Sequence, residues 1–437
     1  MAQGGLTLEI RVQLDQATRD LPFVYGTLAA RHIRLLRQVP STSDGVPHLL
    51  IETYPLDQAP KFSALSYTWG SPTLGKVILC NGRRKHITEN LYYALGRAFS
   101  WRDDIYLWAD GLCINQEDIL ERNQQVRLMG EIYTLAERTV AYIGEPLHDD
   151  TAEGAAADMD EVPLALMQCL SRILEKGAPD RPDQRSNEDW EMLHMPGMDS
   201  DGMVSDSLRK WFSVLALCWQ PWFTRAWVLQ EVALAKDVMV FYGSATNTLE
   251  CLTQFWALST RRDLPPALRY GSIADYKGLI DNTSLLSIFT ELRAAKAQEL
   301  VCNDRPPGPN FVLPGRHSQS RTLLRLLKNT RRAAATDSRD KVYCLMSLAT
   351  DISSLELAPD YSTENTTALV YRHVAEAYIQ SGYAIDVLYQ AGLPRSAHVD
   401  GLPSWVPDWS AQARRPLDER RYCCMKDTVP TSDYPGP

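Results

Sequence analysis

The sequence predicts an α/β protein: a parallel sheet flanked by helices, followed by a mainly helical C-terminal region. Three observations carry this. Short apolar runs bounded by Gly, Pro, Asn and Asp recur between residues 22 and 144, at strand length. A strand–helix–strand succession spans 105–143, and that order implies a right-handed crossover and parallel pairing. Beyond about residue 249 the pattern becomes helical, with long polar loops such as 303–320.

Ile33-Arg-Leu-Leu and His48-Leu-Leu-Ile-Glu-Thr-Tyr54 read as strands around the turn Ser41-Thr-Ser-Asp-Gly45. Phe62 to Trp69 follows as a buried strand ended by Gly70-Ser-Pro72. Val77–Cys80, Asn81-Gly82 and Arg83–Thr88 form a hairpin, because Asn-Gly suits a type I′ turn. Helix is expected from about Glu89 to Trp101. Ile105–Ala109 is a short strand leading into Asp110-Gly-Leu-Cys-Ile-Asn-Gln116. Asp118 lies three residues before Glu121, the spacing of an N-cap with its capping-box partner. Val126, Met129, Ile132, Tyr133 and Ala136 then recur at helical spacing, and Thr139–Ile143 is the next strand.

From about 145 to 206 the periodicity breaks down into an acidic, Pro- and Gly-rich surface insertion, with one helical stretch at 162–176. Helix returns over Leu208–Trp219 and again from Pro221 through Lys236, and Val238–Tyr242 is a strand. The expected division is therefore N-terminal strands packing on the core over 1–59, a domain over 60–245 that contains the insertion, a mainly helical region over 246–415, and a flexible tail over 416–437.

Composition excludes several classes. Apolar residues at 45% and charged residues at 23% are ordinary for a globular protein among the 437 residues. The net charge is −9 and the basic runs are short, so a nucleic-acid partner is not expected. No secretory signal and no apolar run of membrane-spanning length is present. Nine cysteines without a Cys-x-x-Cys pair, several inside apolar runs, point to a reduced cytoplasmic protein. No metal cluster and no Gly-rich phosphate loop is visible, so neither a metal nor a bound cofactor is expected.

Candidate functional residues gather in three places. On the helix after Pro221, the spacing puts Phe223, Trp227, Glu231 and Leu234 on one face, with Glu231 the single acid on that stripe. A buried carboxylate costs free energy unless paired, so Glu231 either carries function or ties helices together through Arg225 or Arg122. Asp110 ends a strand, where open α/β sheets form their ligand crevice. Asn115 and Gln116 in the same loop either contact a ligand or cap local backbone. Ser66, Tyr67, Trp69 and Gly70 at the end of another strand line the same crevice or, for Trp69, fill core. Glu121 complements a helix dipole, Arg122 is placed to hold a phosphate or carboxylate, and Cys113 is core.

Phe62-Ser-Ala-Leu-Ser-Tyr-Thr-Trp-Gly70, Leu107-Trp-Ala-Asp-Gly-Leu-Cys-Ile-Asn-Gln116 and Pro221-Trp-Phe-Thr-Arg-Ala-Trp-Val-Leu-Gln-Glu231 occur in an order that resembles the fungal heterokaryon-incompatibility (HET) domain family. Ala335–Tyr343, Pro359–Ser362 and Leu402–Trp409 resemble segments that commonly follow that domain. One departure is Gly111, where a bulkier residue is commoner; its expected effect is to loosen the loop after Asp110.

The resemblance implies a flavodoxin-like fold similar to that of TIR domains, and a role in allorecognition and programmed cell death. Some TIR domains hydrolyse NAD with a glutamate one helical turn after a tryptophan, a pattern that Trp227 and Glu231 match. It thus implies Glu231 as the catalytic residue, with NAD or a related nucleotide as substrate held by Tyr67, Trp69, Gly70, Asp110, Asn115, Gln116, Arg122 and Trp227. A carboxylate there would stabilise an oxocarbenium-like ribose as the nicotinamide leaves, and the indole would stack on its ring. The alternative is a non-enzymatic signalling module that works by self-association or contact with other incompatibility proteins.

Overall fold

The structure, a computed structural model, describes residues 19–39, 46–146, 214, 216–260, 285–303, 321–392 and 399–411. The turn read at 41–45, the helix at 162–176, nearly all of the insertion, most of the loop at 303–320 and the tail at 416–437 lie outside these residues.

His32–Val39 (β1) and His48–Pro55 (β2) pair antiparallel along their whole length. Phe62–Tyr67 (β3) is followed by the hairpin Lys76–Cys80 (β4) and Arg83–Ile87 (β5). Asn81 and Gly82 take φ of 50° and 76°, as a type I′ turn requires. The Asn81 amide also exchanges hydrogen bonds with the backbone of Ile51 at 2.9 and 3.1 Å, which docks the hairpin on β2.

Glu89–Trp101 (α1) starts at a Thr88 cap and buries Leu91, Ala94, Leu95, Ala98 and Phe99 at helical spacing. Tyr106–Trp108 (β6), the single turn Asp110–Cys113 (α2), Ile119–Leu135 (α3) and Arg138–Gly144 (β7) complete the strand–helix–strand unit. Asp118 caps α3 by accepting from the N–H groups of Leu120 and Glu121. Glu121 does not reach back as a capping-box partner, nor does it simply complement the helix dipole. Its carboxylate is buried against the Arg34 guanidinium of β1, 2.5 and 2.9 Å away.

The expected continuous helix after Pro221 is divided. Pro221–Thr224 is a 3-10 turn, Arg225 is extended at ψ 135°, and Ala226–Ala233 (α4) is the α-helix. Phe223 therefore does not share a helical face with Trp227 and Glu231, because the break at Arg225 resets the direction of the chain. Val238–Tyr242 (β8) follows, and a strand the sequence reading did not identify, Ala245–Thr248 (β9), turns back antiparallel through Gly243 at φ 55°.

The sheet has nine strands in the order β5-β4-β2-β1-β6-β3-β7-β8-β9. It is mixed rather than parallel throughout, because the β1–β2, β4–β5 and β8–β9 hairpins return through turns too short for a crossover. Its centre, β6-β3-β7-β8, is parallel. Numbered by chain position, those four strands stand in the order 2-1-3-4.

The remaining described elements are helical: Leu249–Thr260 (α5), Leu285–Asn303 (α6), Leu323–Asn329 (α7), Asp340–Tyr343 (α8), Thr367–Gln380 (α9) and Ala384–Ala391 (α10). They join one apolar cluster with α4 and β8, while β1–β6 and α3 form a second. Trp227, Leu234 and Val126 pack against both clusters, so α4 is the joint between them. Among the described residues no helix is long and apolar enough to cross a membrane.

Candidate functional site

A cleft of about 640 Å³ opens at the C-terminal ends of β3 and β6, within the usual range for small-molecule sites. This is the edge where α/β sheets bind ligands, since strand ends there give way to loops whose side chains are not committed to the core.

All six residues of β3 are buried, and the chain leaves the core only after Tyr67. Gly70 makes the exit turn at φ 70°, and a Cβ there would lie 2.7 Å from the Asn90 amide. That amide holds the carbonyl of Thr68 at 3.1 Å. The result puts Trp69 on the cleft wall, 41% exposed, not in the core.

Asp110, at the end of β6, accepts from the Trp69 indole at 2.8 Å, from the Gly111 N–H at 2.7 Å and from the Tyr67 hydroxyl. Burial raises its pKa, although Arg225 and these donors oppose the rise. Gly111 is not a loosening of the loop. A Cβ at that position would stand 2.5 Å from the Tyr67 hydroxyl, so the glycine makes room for the Tyr67–Asp110 contact. Gln116 lines the cleft and donates to the Asp110 carbonyl at 3.0 Å.

Beneath this wall lies Glu231, 3% exposed. The Ser66 hydroxyl donates to its carboxylate, and the Trp222 indole donates to the Ser66 oxygen at 2.9 Å. Burial pushes Glu231 up to about 7, against the pull of the Arg225 charge and the Ser66 bond and with a further push from Asp110. Among the described residues Glu231 forms no ion pair with Arg225 or Arg122. Its nearest partner comes from the neighbouring strand.

The opposite wall comes from the C-terminal region, through Ala334–Asp337, Asp340 and Tyr361. The Asp340 carboxylate accepts from the Tyr361 hydroxyl at 2.6 Å and from the Trp227 indole. Burial pushes it up to about 6 even so. The Arg122 guanidinium lies over the Tyr361 ring, 4.2 Å from its centroid. Two aspartates thus face the cleft from separate segments, each held by one indole and one tyrosine hydroxyl. Among the described residues no three His, Cys, Asp or Glu side chains are grouped to hold a metal ion.

Of the residues singled out from sequence, Trp69, Gly70, Asp110, Gln116, Arg122 and Trp227 line one cleft. Tyr67, Ser66 and Glu231 lie behind its wall, because β3 and α4 turn those side chains into the core. Asn115 follows the loop-capping alternative: its side chain accepts from the Glu117 N–H at 3.4 Å and its own N–H donates to Glu121. Asp340 and Tyr361 are not among the site residues expected from sequence, and Arg225, expected as a salt-bridge partner, lines the cleft instead. The two charged or aromatic segments 335–343 and 359–362 were visible, but nothing local says they reach back across the sheet.

The family described as "Heterokaryon incompatibility protein (HET)" matches over residues 62–231. The chain is 27% identical over 478 residues to "Heterokaryon incompatibility protein 6, OR allele" of Neurospora crassa, with 96% of this chain and 65% of that relative covered. It thus spans just under two thirds of the relative's length. No solved structure matches the chain. The matched segment begins at the first residue of β3 and ends at Glu231, so it contains one wall of the cleft and omits the other.

Proposed function

On the premise that residues 62–231 form a heterokaryon incompatibility (HET) domain, we propose that this is a fungal incompatibility-type protein of the cytoplasm that acts in allorecognition or programmed cell death. We further propose that it does so by hydrolysing NAD at the nicotinamide–ribose bond within the cleft. The 2-1-3-4 order of its parallel strands supports a flavodoxin-like, TIR-like reading of the fold.

The observation that carries the chemical reading is the pair of carboxylates, Asp110 and Asp340, in one cleft walled by Trp69 and Trp227. Losing nicotinamide leaves positive charge on the ribose, which a fixed carboxylate stabilises and water then quenches. Asp340, raised by burial to about 6, is suited to moving that water's proton. Indole faces suit the planar nicotinamide ring. Glu231 enters the reaction from below: its ionisation opposes that of Asp110, and it meets a ligand directly only by giving up its Ser66 bond.

The test is to incubate the full chain with NAD and follow nicotinamide release, beside Glu231→Gln, Asp110→Asn and Asp340→Asn. Turnover that falls in all three variants is expected. No turnover by the unaltered chain in any assembly state refutes hydrolysis, and equal turnover by Glu231→Gln removes that residue from the reaction.

One observation favours a second reading. Glu231 is satisfied inside the core by Ser66, as a structural glutamate would be. On that reading the domain signals without catalysis, through self-association or contacts with other incompatibility proteins.

A further inference from the structure

The hydrogen-bonding groups of the cleft are unevenly used. Its three carboxylates are each supplied with donors by the protein. Asp110 accepts from Trp69, Gly111 and Tyr67, and Asp340 accepts from Tyr361 and Trp227. Asp337 accepts from the Arg339 guanidinium at 2.8, 3.1 and 3.2 Å and from the Arg339 N–H at 3.0 Å. The two arginines on the cleft are in the opposite state. Among the described residues, the Arg225 side chain makes no hydrogen bond and no ion pair, and its charge reaches Asp110 and Glu231 only through space. Arg122 rests on the Tyr361 ring, its Nε is buried without a hydrogen-bond partner, and its charge reaches Asp337 and Asp340 through space.

The backbone that carries Arg225 and the guanidinium of Arg122 are held in place. Arg225 sits in the extended link before α4, where Ala226 donates to the Ala334 carbonyl at 2.8 Å and ties the link to the far wall. Arg122 is fixed by its aromatic stack. A guanidinium carries five N–H donors in a planar fork that matches phosphate and carboxylate oxygens. A buried donor without an acceptor is costly, and the cleft carboxylates already take their hydrogen bonds elsewhere, so the acceptors these two arginines lack would have to come from a ligand.

We propose that Arg122 and Arg225 form an anion subsite of the cleft that takes the diphosphate of a nucleotide ligand. The inference rests on the cleft being the ligand site proposed above, but it does not depend on catalysis. It also gives the carboxylates and the arginines separate tasks. Asp110 and Asp340 face the part of the ligand that becomes positive, and the arginines hold the part that is negative throughout. A ligand carrying both signs, as NAD does, satisfies both sets.

The experiment is calorimetric titration of the full chain with ADP-ribose, inorganic pyrophosphate and adenosine, repeated for Arg122→Gln and Arg225→Gln. ADP-ribose and pyrophosphate should bind, and each substitution should weaken both by about tenfold or more, the scale of a charge-assisted hydrogen bond. Adenosine should bind more weakly and be indifferent to either substitution. For a variant whose thermal transition shows it misfolded, Arg→Lys at the same position and the salt dependence of the unaltered chain take its place. ADP-ribose affinity should then fall steeply with ionic strength. The subsite is overturned if the unaltered chain binds neither phosphorylated probe, if adenosine matches ADP-ribose, or if both substitutions leave affinity unchanged. Arginine-dependent ADP-ribose binding without NAD turnover keeps the subsite and removes the hydrolase. Turnover that is indifferent to both arginines does the reverse.

Discussion

Replacing Glu231 with Gln keeps the shape of the side chain and removes its titration. Ser66 can still donate to the remaining carbonyl oxygen, so the change isolates the charge. Burial raises this carboxyl from the ordinary 4.5 to about 7. A tenfold change in proton affinity is worth about 1.4 kcal/mol, so ionising Glu231 in the fold costs roughly 3 kcal/mol more than in the unfolded chain. The folded state binds the proton more tightly. The stability this gives is therefore fully present below 4.5 and is lost as pH rises through about 7.

The assay is urea denaturation of the chain and of Glu231→Gln at intervals from pH 4.5 to 8, with the difference in unfolding free energy plotted against pH. Other titrating groups are common to both proteins and largely cancel. Asp110 is coupled to Glu231, so the curve belongs to the pair rather than to one carboxyl. Gln should gain on Glu by about 2.5 kcal/mol between pH 5 and 8. A difference that stays flat to within about 0.5 kcal/mol refutes the reasoning. It would mean that Glu231 is ionised throughout and balanced by Arg225, as a salt-bridging glutamate would be.

Two further perturbations follow from the same geometry. Glu121→Gln leaves the Arg34 guanidinium buried without its counter-charge and should cost about 3–5 kcal/mol in chemical denaturation, whereas Arg34→Met with Glu121→Leu should cost less than the sum of the single changes. Additive losses would show that the two side chains do not interact. Gly111→Ala places a methyl group against the Tyr67 hydroxyl and should destabilise by about 1–3 kcal/mol, with an accompanying shift in Trp69 emission as Asp110 loses a donor. A neutral effect on both readouts would show that Tyr67 is free to move.

Much of this protein is determined locally and is legible in its sequence. Asn81-Gly82 dictates a type I′ hairpin because both positions must take positive φ. Asp118 starts a helix because its oxygen reaches the first free N–H groups. The central strands are apolar because both faces of the sheet are covered. The same logic places Asp110 at a strand end, beside the ligand crevice, whereas Trp69 is open between crevice and core until the structure puts it on the cleft wall.

What needed the tertiary structure is everything that depends on which segments meet. Asp340 and Tyr361 lie more than 100 residues beyond Trp227, and no periodicity encodes their arrival opposite it. The partners Ser66 for Glu231 and Arg34 for Glu121 are 165 and 87 residues distant in the chain. Helical spacing put Glu231 beside Trp227 correctly, but one helix face is wide enough to divide between a cleft and a core. The packing of α4 between two apolar clusters decides that Trp227 borders the cleft and Glu231 lies beneath it. Local chemistry fixes what each residue can do, and non-local packing fixes which ligand-facing surface it belongs to.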